Sequence, residues 1–207
     1  MASRGVTDPT QALDALLAEL TRRGSPLANF LEPGLPAGQV EARLAKLGAE
    51  PHPDVIKLYA WHNGFDRFRV PVSENGFVSL VPFQEFNPLE EVVEVYVEWR
   101  QRAESEGATP VRHRDGLWRT IDPEDMWSRR WFPIFQGAGS EVIFIDNRDG
   151  SAGSVWRHPV QDSPHRLYGS LAEAMDSVRQ ALMDGRLQLD RHGVVTHKSY
   201  LASGLEI

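Results

Sequence analysis

The chain has 207 residues, 41% hydrophobic and 25% charged, a balance that supports a folded core of useful size and argues against disorder. It has no cysteine, which excludes disulfides, a thiolate nucleophile and cysteine-held zinc or iron–sulfur groups, and which fits a reducing cytoplasm. A formal net charge of −7 opposes binding to phosphate backbones and favours a basic protein partner, unless it serves solubility alone.

No apolar run of about 18 residues is present to span a membrane, and residues 1–8 lack the apolar segment of a secretory signal. A cytoplasmic location is therefore expected. Lysine occurs only at Lys46, Lys57 and Lys198, so the positive charge is almost all arginine.

The first helix is predicted to open at Asp8-Pro9-Thr10-Gln11, with Asp8 as cap and Pro9 in the first turn. Leu13, Leu16, Leu17 and Leu20 form its apolar stripe, and Gly24 stops it. Residues 25–36 hold three prolines and read as a loop. A second helix is expected over 37–47, with Val40, Leu44 and Leu47 inward. A third runs from Pro53 to a stop at Asn63-Gly64.

Residues 77–81 are strand-like, and 85–102 return to helix with Leu89, Val92, Val93, Tyr96 and Arg100 on one side. The stretch 108–130 reads as an elaborated loop with a short strand at Trp118-Arg119-Thr120. Three strands follow, at 131–135, 141–145 and 154–158. Pro133 places the first at an edge or early strand position, and the second is apolar on both faces and so central. Ser170 and Glu173 form a capping box for a last helix, with Ala174, Met175, Val178 and Leu182 inward and Gly185 as its stop. Leu187 and Leu189 in one arm, and Val194 and Val195 in the other, suggest a closing hairpin.

Helices, a strand meander and a helix predict an α+β fold: a mostly antiparallel sheet of about four to six strands flanked by helices. One domain is expected, with its core over roughly residues 10–184 and an extension over 185–207.

Three motifs resemble the SUKH superfamily, which includes the yeast cell-wall-assembly regulator and many bacterial immunity proteins. They are Pro53-Asp54-Val55-Ile56-Lys57-Leu58-Tyr59 leading to Asn63-Gly64, then Trp131-Phe132-Pro133-Ile134, then Val142-Ile143-Phe144-Ile145-Asp146 followed by Gly153-Ser154-Val155. The resemblance implies a binding domain without catalysis, one that neutralises a polymorphic toxin by covering it. It also implies a relative that acts as a regulatory scaffold.

Candidate partner-binding residues carry two readings each. Asn63 and Gly64 either line a groove or only end a helix. Trp131 belongs to an interface or to the core, and Asp146 to an interface or a turn. Glu90, Glu94 and Glu98 repeat every four residues, a spacing at which like charges cost a few tenths of a kcal/mol per pair; Glu98 and Arg102 offset part of this. The stripe is either a solvated face or an acidic interface. Asp122, Glu124 and Asp125 lie beside Trp118, Met126 and Trp127, a composition suited to a basic partner, unless the tryptophans fold under the loop.

No catalytic constellation stands out, and no cofactor or metal is expected. A calcium loop aligned on Gly150 would put Ile145 at the first ligand position. The seven histidines are scattered, with His192 and His197 off the helical spacing of a zinc pair. The leading expectation is a cytoplasmic immunity-type protein, monomeric or weakly dimeric, that binds a basic, possibly nuclease, toxin domain. The alternatives are a regulatory scaffold and a small-ligand or carbohydrate binder that uses its tryptophans.

Overall fold

The computed structural model describes residues 8–66, 68–69, 80–82, 84–106, 109–112, 117–121, 127–137, 141–159 and 164–197. Helix α1 (Pro9–Arg22) begins as its sequence requires. Asp8 accepts a 3.0 Å hydrogen bond from the Thr10 N–H, and that bond is the main reason its carboxyl is held below the ordinary range. Leu13, Leu16 and Leu20 are buried, and Leu17 sits half-buried on the flank.

The expected loop at 25–36 has structure of its own. It contains a 3-10 turn (Leu27–Phe30) and strand β1 (Leu31–Pro33). Helix α2 (Ala37–Lys46) buries Val40 and Leu44, and α3 (Pro53–Trp61) buries Val55, Leu58 and Tyr59. His52 caps α3, its Nδ1 accepting from the Asp54 N–H at 3.2 Å. The helix ends at Trp61. Asn63 and Gly64 do not terminate it: they belong to β2 (His62–Phe65), which pairs antiparallel with β1.

Of the strand expected at 77–81, residues 77–79 lie outside the described residues, and Val81 makes only an isolated bridge to Gln84. The next helix starts later than its periodicity predicts. Gln84 and Glu85 are held as β3 (Gln84–Glu85) by pairing with Gly137 and Gln136, and Pro88 then precedes α4 (Leu89–Glu106). Leu89, Val92, Tyr96, Trp99 and Ala103 form the buried face of α4 at alternating three- and four-residue steps.

Strands β4 (Thr109–Arg112) and β5 (Trp118–Ile121) make a separate two-stranded antiparallel sheet. The main sheet adds β6 (Trp131–Gly137), β7 (Val142–Asp146), β8 (Val155–His158) and β9 (His165–Tyr168), in the order β3-β6-β7-β8-β9. Every neighbouring pair in it is antiparallel. The fold is therefore α+β, with a five-stranded antiparallel sheet flanked by helices. β7 is central and buried along its whole length.

Pro133 is tolerated in β6 because β3 reaches only Gln136 and Gly137, and the register shifts between Pro133 and Phe135. Helix α5 (Leu171–Met183) has the predicted capping box: Ser170 Oγ accepts from the Glu173 N–H at 3.1 Å, and Glu173 accepts from the Gly169 N–H at 2.7 Å. It packs along α1. The hairpin of β10 (Leu187–Leu189) and β11 (Val195–His197) closes the described chain.

Candidate protein interface

Helix α4 is amphipathic, and one side of it is exposed to solvent. Glu90, Glu94 and Glu98 are all exposed there and form one acidic row. Glu90 is paired with Arg43 of α2. Glu94 and Glu98 have no ion pair among the described residues. Arg102, the expected offset for Glu98, has its guanidinium 5.7 Å from the centre of the Trp99 ring. Val93 and Val97 run beside the row at helical spacing and are only partly buried against the core.

The β4–β5 hairpin follows α4 after two residues. Its register sets Pro110 opposite Thr120 and Arg112 opposite Trp118, so these four positions share one face. Pro110, Trp118 and Thr120 are exposed, which makes this the outer face of the hairpin. Trp118 is 68% exposed and its neighbour Leu117 60%. The other five tryptophans lie in the core or packed against it.

Trp127 is not an exposed anchor. It is fully buried, stacked on Trp99 with ring centres 5.2 Å apart and set edge-on to Trp131 at 6.0 Å. Arg100 fixes the backbone there by donating to the Trp127 carbonyl at 2.8 Å. Trp131 is likewise core, stacked on Phe144 at 4.7 Å and covered by the Arg148 guanidinium 4.5 Å from its ring centre.

Asp146 is fully buried and organises the β7–β8 turn. It accepts from the Arg148 N–H at 2.8 Å, from the Arg148 guanidinium at 2.9 Å and from the Ser151 hydroxyl at 2.7 Å. Asn63 and Gly64 form a joint beneath α4: Asn63 Oδ1 accepts from the Leu89 N–H at 2.9 Å. Trp127, Trp131 and Asp146 therefore present no side-chain surface to a partner, and Gly64 is buried as well. Asp122, Glu124 and Asp125 lie outside the described residues.

Two exposed features remain, the α4 carboxylate row and Trp118 on the β4–β5 hairpin. Leu117 is exposed beside Trp118, a residue the sequence did not single out because nothing local marks an isolated leucine as exposed. Chemically the carboxylate row attracts cations, and Trp118 offers one large flat apolar contact. Among the described residues, no group of three or more His, Cys, Asp or Glu side chains is placed to hold a metal ion. No helix among them is long and apolar enough to cross a membrane. The chain matches no protein-family model and no curated protein.

Proposed function

We propose that this chain is a protein-binding domain of the SUKH type, acting without catalysis, that neutralises a basic toxin domain by covering it. The observation that carries the reading is the row Glu90, Glu94 and Glu98. Like charges at this spacing weaken a helix by a few tenths of a kcal/mol per pair, yet Glu94 and Glu98 have no cation opposite them among the described residues. A face kept acidic at a cost to its own helix suits recognition of positive charge. The net charge of −7 adds long-range attraction, and the motif resemblance points to the same class of protein.

In this mechanism the acidic face steers encounter and Trp118 slows release. Neutralisation requires affinity on the order of nanomolar, about −12 kcal/mol. The decisive measurement is stopped-flow association with the basic partner recovered from the native host, at roughly 0.05 and 0.5 M salt. The rate is expected to fall about tenfold or more at high salt, and Glu94→Gln with Glu98→Gln is expected to slow association while leaving dissociation nearly unchanged. A rate indifferent to both salt and substitution removes the reading.

One observation favours a second reading. The open face of Trp118 also suits stacking on a sugar ring, and calorimetry with soluble glycans separates the two, since only a carbohydrate module gives binding heat.

A further inference from the structure

The two histidines at the ends of α3 use their rings in opposite ways. His62, at the C-terminal end, has Nδ1 2.8 Å from the Glu32 carbonyl oxygen. A carbonyl only accepts, so that nitrogen is a donor, and the bond survives whether or not the ring is charged. His52, at the N-terminal end, has Nδ1 3.2 Å from the Asp54 backbone nitrogen. An N–H only donates, so this Nδ1 must be bare, and the neutral ring carries its proton on Nε2. A protonated ring has no lone pair left for the Asp54 N–H.

The surroundings of His52 hold its ring in place and offer the added proton a partner. The Asp54 carboxylate lies 3.6 Å from the same Nδ1. The ring rests against Gly153 of the β7–β8 turn, where a Cβ would stand 3.1 Å from Cε1 and Nε2. Gly153 is itself fixed, its N–H donating to the Asp146 carbonyl at 2.7 Å. The other charged groups near this joint pair among themselves. Glu50 meets Arg129 at 3.3 Å and Arg130 at 3.0 Å, Arg130 reaches Asp149 at 3.9 Å, and Arg148 turns onto Asp146. The Glu50 N–H donates to the Arg129 carbonyl at 3.1 Å, and the Asn147 amide donates to the Glu50 carbonyl at 3.0 Å. The chain before His52 is therefore anchored to the sheet independently of the ring.

From this we infer that His52 is a proton-operated cap on α3. Neutral, it closes the first turn of the helix. Protonated, its Nδ1 changes from acceptor to donor, passes from the Asp54 N–H to the Asp54 carboxylate, and leaves that turn open. A cation at a helix N-terminus is unfavourable, and the Asp54 carboxylate offsets that cost. Imidazole changes charge between about pH 5 and 8, so the turn is closed in mild alkali and loosened in mild acid. The loosening stays local, because the backbone bonds of Glu50 do not involve the ring.

Nuclear magnetic resonance of the full chain tests it. At about pH 7.5 the His52 ring is expected to show a proton on Nε2 and a bare Nδ1. Between about pH 7.5 and 5, protection of the Asp54 N–H from exchange, corrected for the intrinsic effect of pH, is expected to fall about fivefold in step with the His52 ring signals. The Glu50 N–H is expected to keep its protection throughout. His52→Asn supplies a cap that does not titrate and is expected to hold the Asp54 protection high at both pH values, whereas His52→Ala is expected to lower it at both.

A proton on Nδ1 of the neutral ring overturns the proposal. So does Asp54 protection that ignores pH in the wild type, or that depends on pH equally in His52→Asn. Loss of protection at Glu50 together with Asp54 also overturns it, because acid would then loosen the whole joint and not the cap.

Discussion

Tyr59 places its hydroxyl in an apolar cluster, its ring 5.8 Å from that of Phe86, with no hydrogen-bond partner among the described residues. Burial alone pushes its ionisation far above the ordinary phenol range. An unpartnered buried hydroxyl costs about 1–3 kcal/mol, whereas the ring contributes packing that phenylalanine also supplies. Tyr59→Phe is therefore expected to leave stability unchanged or raise it by about 1 kcal/mol in urea denaturation. A loss of more than about 1 kcal/mol would show that the hydroxyl is hydrogen-bonded after all. Asp146 is the contrasting case, just as buried but surrounded by donors from Arg148 and Ser151. Its charge is tolerated because every approach to the carboxylate is occupied by an N–H or O–H, and Trp131 shields the guanidinium on its other side.

At the scale of elements, the start of α4 depends on a strand distant in sequence. Gly64 has φ of 81°, and a Cβ there would lie 2.4 Å from the Pro88 nitrogen and 2.5 Å from the Asn87 carbonyl carbon. Those atoms are backbone and cannot rotate away. Gly64→Ala therefore combines an unfavourable conformation with a clash, and a loss of about 2 kcal/mol or more is expected, against about 1 kcal/mol for Asn63→Ala, which removes only the acceptor for the Leu89 N–H. Equal midpoints for wild type and Gly64→Ala in denaturant would refute the joint.

The sequence made the helices legible where the signal was local: Asp8 and Ser170 as caps, the stripe of Leu13, Leu16 and Leu20, and the continuous apolar run of β7. It misread Asn63-Gly64 as a helix stop because pairing of β2 with β1 is non-local. β9 was missed for the same reason. In the candidate site, four-residue periodicity was enough to find the acidic row. Trp118 and Trp127 were indistinguishable, because both sit in the same polar stretch and it is packing against residues on other elements, Trp99, Phe144 and His158 among them, that buries Trp127. Trp99 itself was within reach, since it continues the spacing of Leu89, Val92 and Tyr96.

For the whole molecule, Trp127 occupies the point where helix and sheet meet. It touches Trp99 of α4, Trp131 of β6, Phe144 of β7 and His158 of β8, with ring centres between 5.2 and 6.0 Å away. The buried apolar residues form one continuous cluster from Ala12 to Val195, so the layer of α1 and α5 is joined to that of α4 and the sheet. Such continuity predicts a single cooperative unfolding transition, with near-ultraviolet and far-ultraviolet dichroism changing together. Trp127→Ala leaves a large cavity at the junction and is expected to cost about 3–5 kcal/mol, lowering the melting temperature by roughly 6–20 °C. Its effect should appear in both probes at the same temperature. Separate transitions, with the tryptophan signal lost while helical signal persists, would mean that α4 and the sheet form a unit that unfolds independently of α1 and α5, and the expectation of one domain would have to be replaced by two.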